Sequence, residues 1–261
     1  QKCKNYGMHI FESNSGYLAC GDVGKGRLPE PDEIEDKIKE VFEEDKFLEG
    51  KHILVTAGPT SEAIDPVRMI TNHSTGKMGY ALARAARNMG AHVTLVSGTK
   101  QIGDIRDVEM VHVTSAKDMA EAVLSRQNDM DCMILAAAVA DYTPVSVADN
   151  KIHKSEGEMS IPLKRTQDIL KTLGENKKDG QVLIGFSMET ENMVERTKEK
   201  LVKKNCDYIV ANNLKEKGAG FGTDTNIVTL ISKDYEKEFG ILSKYDTAVK
   251  ILKTCLKEKK A

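Results

Sequence analysis

From residue 52 onward, short apolar runs alternate with segments whose apolar residues recur at helical spacing. The runs predict strands at 52–56, 92–96, 108–113, 132–139, 182–186, 208–210 and 226–231. The periodic segments predict helices at 77–89, 116–126, 166–173, 191–204 and 243–257. This alternation is typical of βαβ units. It predicts an α/β fold with a doubly wound, Rossmann-like, mostly parallel sheet and helices on both faces.

Two segments depart from the alternation. Residues 1–31 are rich in Gly, Asn, Ser and Pro and lack periodicity, and apolar positions at helical spacing then predict a linker helix over 32–49, capped by Asp32 and ended by Gly50. Residues 143–165 are polar, with extended pieces at 151–153 and 160–163, and predict either a protruding arm or a small subdomain. We therefore expect an extra segment at 1–31, a linker at 32–49 and the main domain at 50–261.

Composition narrows the class of protein. The 261 residues are 40% hydrophobic and 30% charged, with a net charge of −2 and no Trp, which argues against a nucleic-acid partner. No window approaches the ~18 uninterrupted apolar residues of a membrane span, so no membrane partner is expected. Five widely spaced cysteines predict neither a disulfide framework nor a zinc site, and favour the cytoplasm.

The loop from Asn72 to Gly79 leads into a predicted helix. Doubly wound sheets bind ligands at the carboxyl ends of their strands, where this loop lies. It lacks both the G-x-G-x-x-G fingerprint and the Walker A pattern. Its glycines, Ser74 and the helix N-terminus favour an anion, although an N-cap with a tight turn is an equally good interpretation. We interpret His73 as structural.

Further charged residues follow other predicted strands. Asp141 comes after an alanine-rich run and suits either Mg²⁺ with phosphates or a capped turn. In a strand, Lys151 and His153 share one face and would neutralise a triphosphate. Lys200 and Lys204 lie one helical turn apart, and a solvated surface is the common alternative for such pairs.

Several segments together resemble one family. They are TAGPTSEAIDPVRMITNHSTGKMG, AAAVADYTP, KIHK, IGFSMET, and ANN followed by FGTDTN. Over about residues 50–255 the chain resembles phosphopantothenate–cysteine ligases, the C-terminal half of a bacterial bifunctional coenzyme A biosynthesis protein. The resemblance implies that the carboxylate of 4′-phosphopantothenate attacks the α-phosphate of CTP, which gives an acyl-cytidylate and pyrophosphate. The amine of cysteine then attacks the acyl group and releases CMP.

The resemblance also assigns roles. Asn72 and Lys151 are implied as catalytic, Asn72 with the acyl intermediate and Lys151 in forming it. Asn72 and Ala137 are implied as substrate contacts, and Asp141 as the Mg²⁺ ligand. Nucleotide contacts are implied for Ser74, Ala136, Ala137, Asp141, Lys151, Asp168, Ile169, Phe186, Lys200 and Lys204.

The resemblance further implies a homodimer in which the neighbouring subunit completes the nucleotide site, with 143–165 as the exchange arm. The stretch GYLACGDVGKGRLPEP resembles the final segment of the flavin-dependent decarboxylase half, which would be the partner in a full-length chain. Cys20 stands at that half's catalytic cysteine. Because the flavin site is absent from this sequence, we expect neither FMN nor decarboxylase activity.

Some positions depart from the family pattern. His153 replaces a lysine, Asn213 replaces an aspartate, and Thr166 and Gln167 replace an Asn-Pro pair. CTP rather than ATP rests wholly on the resemblance. The alternatives are an NAD(P)-dependent oxidoreductase, against which the missing glycine fingerprint argues, and a non-catalytic nucleotide-binding regulatory subunit, against which Asn72 and Lys151 argue.

Overall fold

A computed structural model describes residues 3, 8, 10–18, 20–42, 46–154, 157–189, 193–213 and 224–257. Its strands, in chain order, are β1 (Asn14–Tyr17), β2 (Val23–Arg27), β3 (His52–Ala57), β4 (Ser61–Ala63), β5 (Met69–Thr71), β6 (His92–Ser97), β7 (Glu109–His112), β8 (Cys132–Leu135), β9 (Tyr142–Pro144), β10 (Leu163–Arg165), β11 (Val182–Glu189), β12 (Tyr208–Asn213), β13 (Thr225–Ile231) and β14 (Glu236–Ser243). Its α-helices are α1 (Pro31–Phe42), α2 (Lys77–Asn88), α3 (Ala116–Leu124), α4 (Ile169–Asn176), α5 (Met193–Lys203) and α6 (Lys244–Leu252), and a π-helical turn (Lys253–Lys257) extends α6.

An eight-stranded sheet forms the centre of the molecule, in the order β14-β13-β12-β11-β8-β3-β6-β7. The six strands from β12 to β7 run parallel, and β13 and β14 add an antiparallel edge. The chain winds outward from β3 to β7 and then returns through β8 in the other direction. The adjacent pair β3 and β8 is therefore the topological switch point, where open α/β sheets bind ligands. The prediction of a Rossmann-like, mostly parallel sheet is confirmed.

Helices cover both faces of this sheet, as predicted. Alternation along β3 places Ile53 and Val55 in one buried cluster with α2 and α6. Leu54 points to the other face and packs with α3, α4 and α5. Since both faces are buried, the central strands are apolar at consecutive positions rather than at alternate ones.

Several predicted boundaries differ from those observed. The strand predicted to run to residue 139 ends at Leu135, because the next backbone N–H groups bond to threonine side chains and to the loop after β3. The helix predicted from residue 166 begins at Ile169, where the Asp168 carboxylate accepts from Lys171 N at 2.9 Å and caps it. The edge strand β14 was not predicted.

The segment before the sheet forms a hairpin of β1 and β2 followed by α1. The prediction that Asp32 caps α1 is wrong: the helix begins at Pro31, and the Glu33 carboxylate accepts from Glu30 N at 2.9 Å. Residues 43–45 of the predicted linker lie outside the described residues. Within the described parts of the chain, no helix is both long and apolar enough to cross a membrane.

The predicted arm contains a short hairpin of β9 and β10. The strand expected at 151–153 is not observed, because residues 151–154 are irregular. The backbone of Ile152 bonds instead to two side chains near β5: its N–H donates to Asp65 at 3.1 Å, and its carbonyl accepts from Arg68 at 2.8 Å.

Candidate active site at the switch point

Backbone pairing joins the two loops that follow β3 and β8. Pro59 and Ala138 form a parallel bridge beyond the ends of the strands. Ala138 N donates to the Gly58 carbonyl at 2.9 Å, and Ala140 N donates to the Thr60 hydroxyl at 2.9 Å. The fully buried Thr60 thus anchors the alanine-rich loop from the β3 side.

The loop before α2 packs tightly on the same region. Gly76 has φ +78°, and a Cβ there would lie 2.9 Å from Thr99 and 3.1 Å from Gly58 N, so only glycine fits. Ser74 Oγ accepts from Gly76 N at 3.3 Å. Gly76 is the N-cap of α2 and offers no side-chain cap, while Lys77 N donates to Thr75 Oγ1 at 3.5 Å. The N-terminal end of a helix favours an anion.

Asn72 connects this loop to the end of β8. Its Nδ2 donates to the carbonyls of Ala138 and Val139, both at 3.2 Å. The amide of Asn72 is therefore held at the alanine-rich loop, on the exposed side of the switch point.

Three adjacent cavities surround these loops. Cavity A, of about 440 Å³, is lined by seven of the predicted residues: Ala137, Asp141, Asp168, Ile169, Phe186, Lys200 and Lys204. Cavity B, of about 330 Å³, is lined by Ser74, Ala136, Ala137, Asp141, Phe186 and Lys200. Cavity C, of about 530 Å³, includes Asn72, His73 and Ser74. Because the same side chains line neighbouring cavities, every predicted residue except Lys151 belongs to one continuous region.

Lys200 in α5, Lys204 directly after it and Arg165 at the end of β10 are the cationic residues that line cavity A. Lys204 forms a salt bridge with Asp168 and is only 14% exposed in its side chain. Burial lowers the pKa of Lys204, while the charge of Asp141 acts in the opposite direction. Lys200 Nζ donates to Ser187 Oγ at 3.3 Å on β11. Cations and the Asp141 carboxylate therefore line the same cavity.

Thr166, one of the positions that depart from the pattern of the resembled family, holds the backbone at Ala140 and Asp141. Thr166 Oγ1 donates to the Ala140 carbonyl at 2.6 Å, and Thr166 N donates to the Asp141 carbonyl at 3.0 Å. Gln167 also lines cavity A. The side chain of Asn213 lies outside the described part of the chain.

Lys151 is not among the described residues that line cavities A, B and C. It is exposed and precedes Ile152, which is fixed by Asp65 and Arg68. Lys151 is therefore the one predicted site residue that does not share a lining with Asp141 or Asn72 in these three cavities.

Comparison with known proteins identifies the family. Residues 48–258 match the DNA/pantothenate metabolism flavoprotein C-terminal domain. The chain belongs to this family. A similar solved structure is the C-terminal domain of coenzyme A biosynthesis bifunctional protein CoaBC, 47% identical, with a TM-score of 0.68 over 80% of this chain and 95% of that one.

Two curated relatives of this flavoprotein-domain family extend the comparison. CoaBC of Bacillus subtilis (strain 168) is 52% identical over 94% of this chain, and the chain spans 61% of that protein. A cysteine/cysteine sulfinic acid decarboxylase from an unknown prokaryotic organism is 44% identical over 97% of this chain and 72% of its own length. The predicted resemblance to the C-terminal ligase half of CoaBC is confirmed at the level of the family.

Some lining residues of this family member were not predicted. Asn212, Asn226 and Lys244 line cavity B although they are at most 8% exposed. Asn212 lies near the end of the parallel strand β12, beyond the end predicted for it at residue 210. Asn226 lies in the antiparallel strand β13 and Lys244 follows the antiparallel strand β14, and the search of parallel strand ends did not cover these two strands.

Two carboxylates line cavity A, Asp141 and Asp168, and Asp168 is bridged to Lys204. Among the described side chains, no group of three or more His, Cys, Asp or Glu could hold a metal ion. Asp141 nevertheless fits the way Mg²⁺ binds with nucleotides, through one or two carboxylates, water and the phosphates themselves. The residues present therefore suit a cation that arrives with a polyphosphate.

Proposed function

We propose that the chain ligates 4′-phosphopantothenate to cysteine through an acyl-cytidylate, with CTP as co-substrate, in coenzyme A biosynthesis. The observation that carries the proposal is the arrangement of Lys200, Lys204 and Asp141 around a cavity at the switch point, in a chain 52% identical to a CoaBC protein. A carboxylate must approach a polyanion in this reaction, so cations beside the reacting groups lower the barrier.

CTP would occupy cavity A. Lys204 would exchange its bridge to Asp168 for the triphosphate, and Lys200 would contribute a second charge. Phe186, Asp168 and Ile169 line the same cavity and would contact the nucleoside. Asp141 would hold Mg²⁺ against the phosphates, and this cation supplies charge neutralisation.

Asn72 would serve the acyl group. In the first step, a carboxylate oxygen bonds to the α-phosphorus and pyrophosphate leaves. In the second step, the cysteine amine attacks the acyl carbon, CMP leaves and the amine loses a proton. The Asn72 amide donates to two carbonyls here, and it would exchange one of these bonds for the acyl oxygen as charge develops on that oxygen.

Lys151 would reach the site from a second subunit. An exposed apolar surface lies beside it: Val67, Met69, Tyr142, Val145 and Val147 are 46–65% exposed. These side chains come from two segments joined by a hydrogen bond between Ala148 N and the Ile64 carbonyl. An exposed apolar patch of this kind fits a homodimer interface, which would bring Lys151 to the neighbour's cavity A.

Other parts of the proposal concern the whole protein. The relatives named CoaBC are bifunctional, and the chain spans 61% of the Bacillus subtilis one, so a decarboxylase half is the proposed covalent partner. We assign neither FMN nor decarboxylase activity to this chain, although one relative is named a decarboxylase. Cys20 is exposed in the turn between β1 and β2, within the N-terminal segment, and all five cysteines are free, in keeping with a cytoplasmic enzyme.

The direct test supplies phosphopantothenate, cysteine, Mg²⁺ and CTP and measures pyrophosphate and phosphopantothenoylcysteine. Formation of both products supports the proposal, and formation of neither contradicts it. Thermal unfolding separates the alternatives: CTP with Mg²⁺ should raise Tm, whereas NAD(P) should not. A rise in Tm with CTP but no product would indicate the regulatory subunit instead.

A further inference from the structure

Two threonine hydroxyl groups hold the backbone that carries Asp141. Ala140 N donates to Thr60 Oγ1 at 2.9 Å, and the Ala140 carbonyl accepts from Thr166 Oγ1 at 2.6 Å. The carbonyl of Asp141 itself accepts from Thr166 N at 3.0 Å. Thr60 follows β3 and Thr166 follows β10, so residues from two other parts of the chain fix this backbone.

The side chain of Asp141 has no comparable support. It is exposed and lines both cavity A and cavity B. Among the residues that the structure describes, none donates a hydrogen bond to its carboxylate. Both oxygens are thus available to a cation that arrives with a polyphosphate. The direction of the carboxylate therefore depends on the backbone that the threonines hold.

The chemistry of its hydroxyl group shows how Thr166 acts. A threonine hydroxyl has one hydrogen to donate, and Thr166 donates it to the Ala140 carbonyl. The oxygen is then left only as an acceptor, which an ionised triphosphate does not need. Although Thr166 lines cavity A, its hydroxyl is engaged with the backbone rather than with the space that a nucleotide would fill.

We infer that Thr166 is a positioning residue, which keeps the Asp141 carboxylate directed toward the cation that accompanies the nucleotide. The inference rests on the function proposed above, in which Asp141 holds Mg²⁺. Thr60 supports the same backbone from the β3 side, but it is fully buried and its carbonyl also accepts from Thr71 Oγ1 at 2.8 Å. Thr166 is half-buried and is therefore the residue to test.

The departure from the resembled family agrees with this role. The family has Asn where this chain has Thr166, and both side chains carry a hydrogen that can be donated. The inference therefore requires a donor to the Ala140 carbonyl at this position, rather than one residue type.

Calorimetric titration with CTP at a series of Mg²⁺ concentrations tests the role of Thr166. Thr166→Val removes the hydroxyl at nearly the same size, and it should weaken CTP binding in the presence of Mg²⁺ by about three- to tenfold, the range that one hydrogen bond supplies. With EDTA in place of Mg²⁺, the variant and the unaltered chain should bind CTP alike. Thr166→Ser keeps the hydroxyl and should restore the binding.

Thr94→Val is the matched control. Thr94 is buried on β6, and its hydroxyl donates to Glu109 Oε2 at 2.8 Å, but it lines none of cavities A, B and C. This variant should lose stability without any change in the Mg²⁺-dependent binding of CTP. Equal weakening in Thr94→Val and Thr166→Val would overturn the inference, and so would unaltered CTP binding in Thr166→Val at every Mg²⁺ concentration.

A double variant tests whether Thr166 acts through Asp141. In Asp141→Asn, the further change Thr166→Val should cause no additional loss of CTP binding, because the group that it directs is already gone. Additive losses would contradict the inference. Thr166→Ala removes the same donor without the bulk of valine and serves if Thr166→Val does not fold.

The inference and the proposed function fail in different ways. In turnover, Thr166→Val should raise the KM for CTP with Mg²⁺ and leave the KM for cysteine unchanged. The binding measurements need no turnover, so an unaltered chain that bound CTP with Mg²⁺ but released no pyrophosphate would contradict the proposed function alone. Normal turnover with CTP binding insensitive to Thr166→Val would contradict only the role of Thr166.

Discussion

Lys204 interacts with two acidic groups, which makes it a sensitive probe of the nucleotide. It bridges to Asp168, and the charge of Asp141 raises its pKa against the effect of burial. We expect Lys204→Gln to weaken CTP binding by roughly 10- to 100-fold, since hydrogen bonds to charged groups contribute about 1.5–3 kcal/mol. Lys203→Gln, which alters the exposed last residue of α5, should bind CTP normally. Equal losses in both variants would point to general surface charge instead.

Asp65 is the second residue whose environment gives a definite expectation. Hydrogen bonds from the Arg68 side chain hold the pKa of Asp65 well below its usual range, and the backbone N–H groups of Val67, Arg68 and Ile152 add to this effect against burial. Because the pKa of Asp65 is lower in the folded state, its carboxylate stabilises the protein at pH values above the ordinary carboxyl pKa of about 3.9. This stability is lost as the pH falls from that value toward the lower pKa of the folded state.

Asp65→Asn should therefore lower the free energy of unfolding at pH 7 and flatten its decline between about pH 5 and pH 3. Urea unfolding at a series of pH values measures both effects. Asp149→Asn removes an exposed carboxylate from the neighbouring segment and serves as the control. A parallel pH dependence in Asp65→Asn and the unaltered chain would refute the explanation.

At the scale of elements, the close contact of α2 with β3 sets the position of the loop at the switch point. A Cβ on Gly79 would lie 2.6 Å from Ala57 Cβ and 2.7 Å from the Thr56 carbonyl oxygen. Gly79→Ala should displace α2 and destabilise the fold by about 1–3 kcal/mol, as overpacking usually does. Thermal unfolding checks the expectation, with Gly240→Ala, which meets no atom within 4 Å, as the control. Equal Tm values for the two variants would contradict it.

The apolar patterns of the individual strands and helices explain which of these elements could be predicted from the sequence. The parallel strands carry consecutive apolar residues, as in β3 and β8. The short helices between them have apolar residues at helical spacing, which form a clear stripe along one face. The edge strand β14 buries Phe239 fully but exposes most of its other residues, so its pattern was too weak to detect. The alternation of Ile152 with its charged neighbours resembled the pattern of a short strand. The backbone of Ile152 instead bonds to the side chains of Asp65 and Arg68.

Candidate site residues at the ends of parallel strands could be found because topology fixes where those ends meet. Asp141 and the loop from Asn72 to Ser74 are of this kind. Lys244 and Asn226 could not be found in this way, because tertiary packing of the antiparallel edge brings them to cavity B. The sequence contains no local signal for that packing.

For the whole molecule, the decisive question is whether Lys151 acts within its own subunit. Lys151→Gln should abolish pyrophosphate release, and Asn72→Ala should release pyrophosphate but form little final product. If the neighbouring subunit supplies Lys151, mixing the two variants should restore ligation, because half of the sites in each mixed dimer would be intact. Mixing Lys151→Gln with itself at the same total concentration is the control. Absence of recovery after confirmed subunit exchange would place Lys151 in its own subunit.

The bridge between Pro59 and Ala138 also affects how fast the backbone amides of the site exchange with solvent when no reactant is bound. Ala138 N and Ala140 N both donate hydrogen bonds before any reactant binds. We therefore expect these amides at the edge of the site to be protected from exchange like those inside the sheet. These amides should exchange slowly with deuterated solvent, at rates like those of β8 itself. Recognition then requires side chains such as Asn72 to change rotamers over an already rigid frame, and little backbone entropy remains to be lost on binding.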